Sequence, residues 1–368
     1  MEIKWTTHSS YIMGKTLDVN LANQKIAAFD MDDTLITTKS GKTFAENDDD
    51  WKIYDDSIKN KLINLHNDGY KLVIISNQLG VSKGKVDINT LKSKIQKLIN
   101  FLQLNFTIFC AINDDNYRKP RMGLWNLING DKTNSFYCGD AGGLDKRTIN
   151  GKIIEKDFSD GDLKFALNVK IKFIHRDEFV FDVKYDSIKV KYPIDFKTIN
   201  DKSNYIFKPN SQEMILNVGL PASGKSYFSL NNIVLNNYEY INQDTLKTPK
   251  KCIMEAEKAL KLSKSVVIDN TNLTVENRKV FIELANKYGI KCRCLIFNTS
   301  LEMCIHNSYF RNYTTDGKNK IIPKMVYNIM KKKYVKPLLS EGFYEINEID
   351  FALNLTADMK ELYEKYYS

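Results

Sequence analysis

Two closely spaced carboxylates follow a short apolar stretch near the start of the chain. The run 26–29 predicts a buried strand, and Asp30 and Asp32 come directly after it. Open α/β sheets bind ligands at the carboxyl ends of their strands, so Asp30 is placed to attack a phosphate ester and form an aspartyl-phosphate. Asp32 could protonate the leaving oxygen and then take a proton from water. An isolated Asp-x-Asp pair that caps the next helix is the alternative.

A carboxylate that attacks an anionic phosphate needs a cation to offset the charge. Mg²⁺ prefers oxygen ligands. Gly139 and Asp140 follow the apolar stretch 135–138, and Asp140 supplies a carboxylate in addition to Asp30 and Asp32. We therefore expect Asp30, Asp32 and Asp140 to hold Mg²⁺.

A glycine-rich signature of another kind lies in the second half of the chain. Gly219-x4-Gly224-Lys225-Ser226 follows the apolar run 214–218 and precedes a segment compatible with a helix. In such a loop, backbone N–H groups cradle phosphates, the lysine reaches the β- and γ-phosphates, and the serine hydroxyl ligates Mg²⁺. The signature predicts an ATP site, and a glycine-rich turn with a surface lysine is the weaker alternative.

Three residues further along could complete phosphoryl transfer from ATP. Asp244 could accept the proton of the acceptor hydroxyl, although an N-cap for the region 245–262 fits its position equally well. Asp269 ends the apolar run 266–268 and is expected to support the water network of the metal. Arg311 could close over the phosphates and stabilise transition-state charge, or it could be a solvated arginine on a helix.

Length and patterning indicate two domains. The 368 residues exceed the size at which one hydrophobic core usually stops growing. Apolar runs alternate with helical patterns in both halves, which predicts the α/β class, with a mainly parallel sheet flanked by helices in each domain. A turn-rich stretch separates the halves, so the predicted bounds are 1–186, a linker at 187–212, and 213–368.

Composition constrains the environment and the partners. The net charge of +9 favours a polyanionic partner, but a lysine bias from AT-rich coding would explain it equally well. The six cysteines lack the Cys-x-x-Cys pairs of a structural zinc site and indicate a reducing compartment. No signal-peptide pattern or run long enough for a membrane span occurs, so we expect a soluble intracellular protein, with nucleus or cytoplasm left open.

Taken together, these motifs resemble the polynucleotide kinase 3′-phosphatases, in which a haloacid-dehalogenase-like phosphatase is joined to a P-loop kinase. The resemblance covers nearly the whole chain, with the phosphatase first, as in the cellular repair enzymes. It rests on the ordered stretches Phe29–Lys42, Gly69–Gln78, Tyr117–Pro120, Gly139–Ala141, Lys156–Ser159, Gly219–Ser226, Asn242–Leu246, Ile268–Asn272, Cys292–Cys294 and His306–Arg311.

The resemblance implies a role for each matching residue of the first half. Asp30 would be the nucleophile, Asp32 the general acid and base, and Asp140 a metal ligand. Ser76 and Lys119 would bind the transferred phosphoryl group. Without the resemblance, Ser76 is more typical of a turn hydroxyl and Lys119 of a solvated surface charge.

In the second half, the resemblance implies that Lys225 and Ser226 bind ATP and Mg²⁺, that Asp244 activates a 5′-hydroxyl, and that Arg311 belongs to a lid. The implied function is hydrolysis of 3′-phosphates and phosphorylation of 5′-hydroxyls at DNA ends, which prepares breaks for a ligase. RNA ends remain an open alternative, because a 5′-hydroxyl kinase need not read the 2′-hydroxyl.

The chain departs from the family pattern at three positions. Asp33 replaces a usual Gly, Gln243 replaces an Arg beside the proposed base, and Tyr309 replaces an Arg of the lid. These changes put the substrate contacts and the metal affinity in doubt. Because the chain starts close to Asp30, we expect it to lack the forkhead-associated domain that recruits some members to scaffolds. We also expect a monomer.

The amino-acid sequence leaves two other functions open. One is a kinase and phosphatase that acts on a nucleoside or another small metabolite. The other is a module that binds nucleic-acid ends with decayed sites, as the three departures would allow. A metabolite enzyme would lack the steep salt dependence that polyanion binding produces.

Overall fold

The computed structural model describes residues 1–190, 194, 196, 199, 202–315, 317–353 and 355–368. The chain forms two compact units, Met1–Pro193 with Lys365–Ser368, and Ile194–Glu364. Both have the predicted α/β architecture. The predicted linker 187–212 falls partly outside the described residues, so the bounds 1–186 and 213–368 stay a prediction.

The last four residues belong to the first unit, although the sequence analysis assigned them to the second domain. Asn168 Nδ2 donates a hydrogen bond to the carbonyl of Tyr366 at 2.6 Å, and the Tyr366 amide donates to Asn168 Oδ1 at 2.8 Å. Arg121 Nε donates to the carbonyl of Tyr367. Sequence patterns do not reveal this attachment, because it depends largely on main-chain groups.

The first unit contains eleven strands among the described residues. They are β1 (Lys4–Thr7), β2 (Tyr11–Lys15), β3 (Ile26–Phe29), β4 (Ile36–Thr37), β5 (Lys52–Ile53), β6 (Lys71–Asn77), β7 (Phe106–Ala111), β8 (Phe136–Gly139), β9 (Arg147–Ile149), β10 (Lys152–Ile154) and β11 (Lys172–His175). Seven of them form one sheet in the order β1-β2-β7-β6-β3-β8-β11. The neighbouring strands in the part β7-β6-β3-β8-β11 of this order run parallel, whereas β2 runs antiparallel to β7.

Strand β3, which lies inside this sheet between β6 and β8, is apolar throughout. All four residues of β3 are fully buried, as expected for a parallel strand that is covered on both faces. The helices of the unit are α1 (Ser57–Asn67), α2 (Ile88–Leu102), α3 (Gly123–Ile128), α4 (Gly161–Val169) and α5 (Arg176–Phe181). Asp87 caps α2, because its side chain accepts hydrogen bonds from the amides of Asn89 and Thr90.

The second unit has a parallel five-stranded sheet in the order β13-β14-β12-β15-β16. Its strands are β12 (Glu213–Val218), β13 (Glu239–Asn242), β14 (Val266–Asp269), β15 (Lys291–Phe297) and β16 (Glu345–Ile349). Its helices are α6 (Lys225–Phe228), α7 (Gln243–Leu246), α8 (Pro249–Lys261), α9 (Val275–Lys287), α10 (Leu301–Thr314), α11 (Lys324–Lys333) and α12 (Ala357–Tyr363).

Each sheet carries polar residues at the carboxyl ends of its parallel strands. In the first unit, Asp30 follows β3 and Asp140 follows β8, which pair side by side. In the second unit, the glycine-rich loop follows β12, and Asp269 ends the neighbouring strand β14. The described helices include none that is both long and apolar enough to cross a bilayer.

Candidate active sites

Lys119 lies in the interior of the first unit and contacts two carboxylates. Its ammonium donates to Asp30 Oδ1 at 2.6 Å and to Asp162 Oδ1 at 2.8 Å, and it also contacts the Tyr137 hydroxyl. Burial would lower the pKa of Lys119, but Asp162 and Asp30 raise it. The interpretation of Lys119 as a solvated surface charge is therefore wrong.

Asp30 forms a cluster with two other carboxylates. One oxygen each from Asp30, Asp140 and Asp162 lies within 4.8 Å of the others. Thr34 Oγ1 donates to Asp140 Oδ1 at 3.1 Å, and the Ala141 amide donates to Asp162 Oδ2 at 3.1 Å. Donors from the loops after β3 and β8 therefore hold two of these carboxylates. The sequence analysis named Asp30 and Asp140 but missed Asp162.

Two carboxylates of this cluster resist ionisation. Burial raises the pKa of Asp30 well above its usual value, although Lys119 opposes the shift. Burial, reinforced by the neighbouring Asp162, raises the pKa of Asp140 to about 7. Crowded carboxylates that resist ionisation are stabilised when a divalent cation balances their charge. The all-oxygen donor set suits Mg²⁺.

The side chain of Asp32 lies outside this cluster. Its Oδ1 accepts a hydrogen bond from Lys94 Nζ at 2.9 Å, and its Oδ2 accepts one from Gln78 Nε2 at 2.6 Å. These two donors occupy the carboxylate that the sequence analysis expected to bind the metal. The capping interpretation also fails, because the next helix, α1, begins at Ser57 with Asp56 at its N-cap position.

Ser76 and the backbone of Lys119 both lie at the carboxyl end of β6. Ser76 is buried, and its hydroxyl accepts from Gln78 Nε2 at 2.9 Å. Asn77 makes two reciprocal bonds with the backbone of Lys119, at 3.1 and 3.0 Å. The chain therefore brings Ser76, Lys119 and Asp30 together, and Asn77 and Gln78 are supporting residues whose roles the sequence analysis did not identify.

Asp33 occupies a position that favours glycine. Its φ angle is +55°, in the left-handed region that most side chains avoid and that Asp tolerates better than other non-glycine residues. Its Oδ1 accepts from Thr37 Oγ1 at 3.0 Å, and its carbonyl accepts from Arg176 at 2.7 Å. The backbone geometry thus explains both the usual Gly and the tolerated Asp.

A buried ionic network supports the backbone next to Asp140. His175 Nε2 lies 3.0 Å from the Asp140 carbonyl and 3.2 Å from Asp157 Oδ2. Arg147 bridges Asp157 and Asp177. Burial would raise the pKa of Asp177, but its bonds to His175 and Arg147 hold that pKa well below the usual range. This network fixes the loop that carries Asp140.

The glycine-rich loop of the second unit encloses Lys225. The loop turns through left-handed conformations at Ala222, with φ +58°, and Gly224, with φ +97°. Lys225 Nζ donates to the carbonyls of Gly219 at 3.0 Å and Leu220 at 2.6 Å. Burial lowers the pKa of Lys225 to about 8. Among the described residues, the hydrogen-bond acceptors of Lys225 Nζ are neutral loop groups, and a buried ammonium with such acceptors suits an anionic phosphate ligand.

Asp269 and Ser226 lie together beside this loop. Ser226 Oγ donates to Asp269 Oδ2 at 2.5 Å, and Asn217 Nδ2 donates to Asp269 Oδ1 at 3.2 Å. Asn242 Nδ2 and the Tyr240 hydroxyl also donate to Asp269 Oδ2. The oxygens of Ser226 and Asp269 fit a Mg²⁺ site, and the role of Tyr240 was not foreseen.

Asp244 is exposed and is the second residue of α7. The N-cap of α7 is Asn242, whose side chain accepts from the Thr245 amide at 3.1 Å, and the N-cap of α8 is Thr248. The capping interpretation of Asp244 is therefore wrong, and its role as a base stays a prediction. The Gln243 amide donates to Asn270 Oδ1 at 2.9 Å.

Arg311 is an exposed residue of α10, the helix that carries the half-buried Tyr309. Burial is the main cause of the lowered pKa of Lys225, and the charge of Arg311 adds to it. The two cations are therefore close enough to interact, which agrees with a position of Arg311 near the loop. Its closure over phosphates stays a prediction.

Side chains from α10, α11 and the preceding loop hold the outer face of the glycine-rich turn. Asn307 Nδ2 donates to the Ala222 carbonyl at 2.9 Å, and Thr299 Oγ1 donates to the Ser223 carbonyl at 2.8 Å. The Tyr327 hydroxyl contacts the Pro221 carbonyl at 3.3 Å. No local sequence signature marks Thr299 or Tyr327, because each acts on the loop only after the chain has folded.

Two stretches of the chain match models of known protein families. Residues 25–180 match the family model described as polynucleotide kinase 3 phosphatase, and residues 250–337 match a model described as an AAA domain. The first match contains the acidic cluster. The second match begins after the glycine-rich loop, so the interpretation of that loop as an ATP site depends on its own sequence and geometry.

Individual relatives extend along most of the chain. The bifunctional polynucleotide phosphatase/kinase of Schizosaccharomyces pombe is 36% identical over 361 residues, which cover 95% of this chain and 85% of the relative. A mimivirus protein to which the same two activities are provisionally assigned is 36% identical, over 94% of this chain and 90% of that protein. The Arabidopsis thaliana polynucleotide 3′-phosphatase ZDP is 32% identical, over 48% of this chain and 27% of its own length. The chain belongs to the bifunctional polynucleotide phosphatase/kinase family.

Proposed function

We propose that the first unit hydrolyses 3′-phosphate termini of nucleic acids through an aspartyl-phosphate on Asp30. The observation that carries this proposal is the position of the Asp30 carboxylate. It lies at the end of a parallel strand, hydrogen-bonded to Lys119 and within the acidic cluster. In that setting, one oxygen of the nucleophile contacts the Lys119 ammonium, and the carboxylates that would bind a metal lie beside it.

The reaction proceeds in two steps. An Asp30 carboxylate oxygen attacks phosphorus, the bond between phosphorus and the 3′-oxygen breaks, and a proton from Asp32 passes to the departing oxygen to give a 3′-hydroxyl. Water then attacks the phosphorus of the aspartyl-phosphate, Asp32 takes a proton from that water, and phosphate leaves with Asp30 restored. Lys119 and Ser76 hold the phosphoryl oxygens in both steps.

Asp30, Asp140 and Asp162 would hold Mg²⁺ at this site. When bound, Mg²⁺ would offset the charge that the phosphoryl group and the attacking carboxylate bring together. The spacing of these carboxylates supports this assignment, because one oxygen of each lies within 4.8 Å of the others.

We propose that the second unit transfers the γ-phosphate of ATP to 5′-hydroxyl termini. Asp244 would take the proton of the 5′-hydroxyl while its oxygen attacks the γ-phosphorus and the bond to ADP breaks. Lys225 would leave the loop carbonyls that it now contacts and bind the phosphates, and Ser226 with Asp269 would hold the accompanying Mg²⁺. Arg311 would stabilise the charge on the transferred group.

The two activities together would convert a break with a 3′-phosphate and a 5′-hydroxyl into ends that a ligase can join. We propose DNA ends as the substrate, with RNA ends as the alternative that a direct rate comparison distinguishes. The relatives described as bifunctional polynucleotide phosphatase/kinases support a polynucleotide substrate over a small metabolite.

A substrate comparison tests the proposal. We expect release of phosphate from a 3′-phosphorylated oligonucleotide in Mg²⁺, with a KM that rises steeply as salt increases, because the substrate is a polyanion. A nucleoside 3′-monophosphate should be a much poorer substrate. Equal rates on both, without salt dependence for the oligonucleotide, would favour the metabolite enzyme.

A further inference from the structure

Lys94 is a buried lysine on the apolar face of α2. The neighbouring positions on that face are Leu91, Ile95 and Leu98, and all three are buried core residues. Lys94 is itself only 7% exposed. The spacing i−3, i+1 and i+4 relative to Lys94 marks a helix face that normally carries apolar side chains. A charge at such a position requires a compensating partner.

The partner of Lys94 is the carboxylate of Asp32. The ammonium lies 2.9 Å from Asp32 Oδ1, and the exposed fractions of the two side chains are 9% and 49%. A buried ammonium costs free energy unless it is paired, so the pair holds both groups in place. Lys97, on the next turn, instead pairs with Asp48 and Asp49 and is more exposed.

The second oxygen of Asp32 is held as well. Gln78 Nε2 lies 2.6 Å from Asp32 Oδ2 and 2.9 Å from the hydroxyl of Ser76. The half-exposed Asp32 carboxylate is therefore fixed at both oxygens, by the buried cation on one side and by the amide that also contacts Ser76 on the other. Without Lys94, the carboxylate would keep one anchor and gain freedom to rotate towards solvent.

We propose that Lys94 is a positioning residue that orients the Asp32 carboxyl group, which carries a proton in the first step, for transfer of that proton to the departing 3′-oxygen. The proposal rests on the proposed role of Asp32 as the acid. During the first step, the bond from phosphorus to the 3′-oxygen breaks, its electron pair remains on that oxygen, and the Asp32 proton neutralises it. A rotated Asp32 would leave the oxygen to depart as an alkoxide, which is a poor leaving group.

A change of the leaving atom separates this role from a structural one. The experiment compares kcat/KM for two oligonucleotides of the same sequence, one with a normal 3′-phosphate and one in which sulfur replaces the bridging 3′-oxygen. A thiolate leaves without protonation, so the second substrate does not need the acid. The enzymes are wild type, Asp32→Asn, Lys94→Met and Lys94→Arg, with Lys97→Met as the matched control on the same helix.

We expect Lys94→Met to lose about 10- to 100-fold on the oxygen substrate and less than about threefold on the sulfur substrate. The loss on the oxygen substrate should be smaller than the roughly 10²- to 10⁴-fold that a general acid itself contributes, because Asp32 is retained. Lys94→Arg should retain more activity on the oxygen substrate, and Lys97→Met should resemble wild type on both. The substitution to Met suits an apolar helix face, and thermal melting of each variant checks the fold.

Two results would overturn the inference. Equal losses of Lys94→Met on both substrates would assign Lys94 a structural role, and unchanged activity on the oxygen substrate would assign it none. The proposed chemistry fails in a different way, namely when Asp32→Asn keeps full activity on the oxygen substrate. A selective loss for Asp32→Asn without one for Lys94→Met would retain the acid and reject the positioning role.

Discussion

Asp162 Oδ1 lies 2.8 Å from the ammonium of Lys119, and both side chains are buried. Asp162 also belongs to the acidic cluster with Asp30 and Asp140. One carboxylate therefore anchors the phosphoryl-binding lysine and contributes charge to the proposed metal site. Truncating Asp162 would remove one of the two carboxylates that compensate the buried charge of Lys119 and would leave Asp30 as the other.

We predict that Asp162→Asn reduces 3′-phosphatase activity by at least about tenfold and raises the Mg²⁺ concentration needed for half-maximal rate. The 5′-kinase activity should stay within about twofold of wild type. Phosphate release measured across a Mg²⁺ titration checks this. Asp160→Asn is the control, because Asp160 lies two residues away and pairs with Lys164 instead. If Asp162→Asn and Asp160→Asn had similar Mg²⁺ curves, Asp162 would not belong to the site.

The charge of Asp33 should affect metal binding. Burial and Asp162 are the main causes of the raised pKa of Asp140, and Asp33 adds to the shift. Asp33→Asn keeps a residue type that tolerates the left-handed backbone and removes the charge. We predict a two- to fivefold higher half-saturating Mg²⁺ concentration, on the order expected for one screened charge. Asp33→Gly should behave in the same way, and a normal Mg²⁺ curve in both variants would rule out the electrostatic explanation.

In the second unit, the bond from Ser226 to Asp269 predicts a selective kinase defect. Asp269→Asn removes the charge beside the serine that would ligate Mg²⁺. We expect a loss of at least about 100-fold in kinase kcat/KM, as for other groups that stabilise phosphoryl transfer. Tyr240→Phe removes one of several donors to the same carboxylate and should cost only a few-fold, since one hydrogen bond is worth about 1 kcal/mol. Transfer of labelled γ-phosphate to a 5′-hydroxyl oligonucleotide measures both variants.

His306 should make the stability of the second unit depend on pH. Burial lowers its pKa to about 4, and Nε2 lies 2.7 Å from the Tyr363 carbonyl. The folded pKa is below the unfolded value of about 6.5, so the unfolded chain binds more protons in between. The stabilisation is thus complete above pH 6.5 and is lost as pH falls to 4, by up to about 3 kcal/mol.

Urea unfolding of wild type and His306→Gln at pH 7 and pH 5 tests this expectation. The free energy of unfolding of wild type should fall more between these pH values than that of the variant. Carboxylates titrate in both proteins and cancel in the difference. Identical pH dependence in the two proteins would show that His306 is not buried in its neutral form.

The sequence predicted the residues that occur in contiguous signatures. Asp30, Lys225 and Ser226 each follow an apolar strand, and their loops lie where those strands end. The α/β class was confirmed for the same reason, because fully buried parallel strands have a continuous apolar pattern. Such features are local, and short stretches of sequence encode them.

Asp162 and Lys94 were missed because their roles depend on contacts between distant segments. Each is a charged residue on the buried face of an amphipathic helix, α4 for Asp162 and α2 for Lys94. A charged residue at an apolar helix position is visible in the sequence, but the sequence does not identify the residue that pairs with it. The exclusion of Asp32 from the acidic cluster has the same origin, since Lys94 lies 62 positions away.

The central claim is that one chain carries two independent activities for opposite ends of a break. The most direct measurement uses a nicked duplex with a 3′-phosphate and a 5′-hydroxyl, incubated with ATP and Mg²⁺. Wild type should process both ends, Asp30→Ala should lose only dephosphorylation, and Lys225→Ala should lose only phosphorylation. Loss of both activities in each variant, or neither activity in the wild type, would contradict the account.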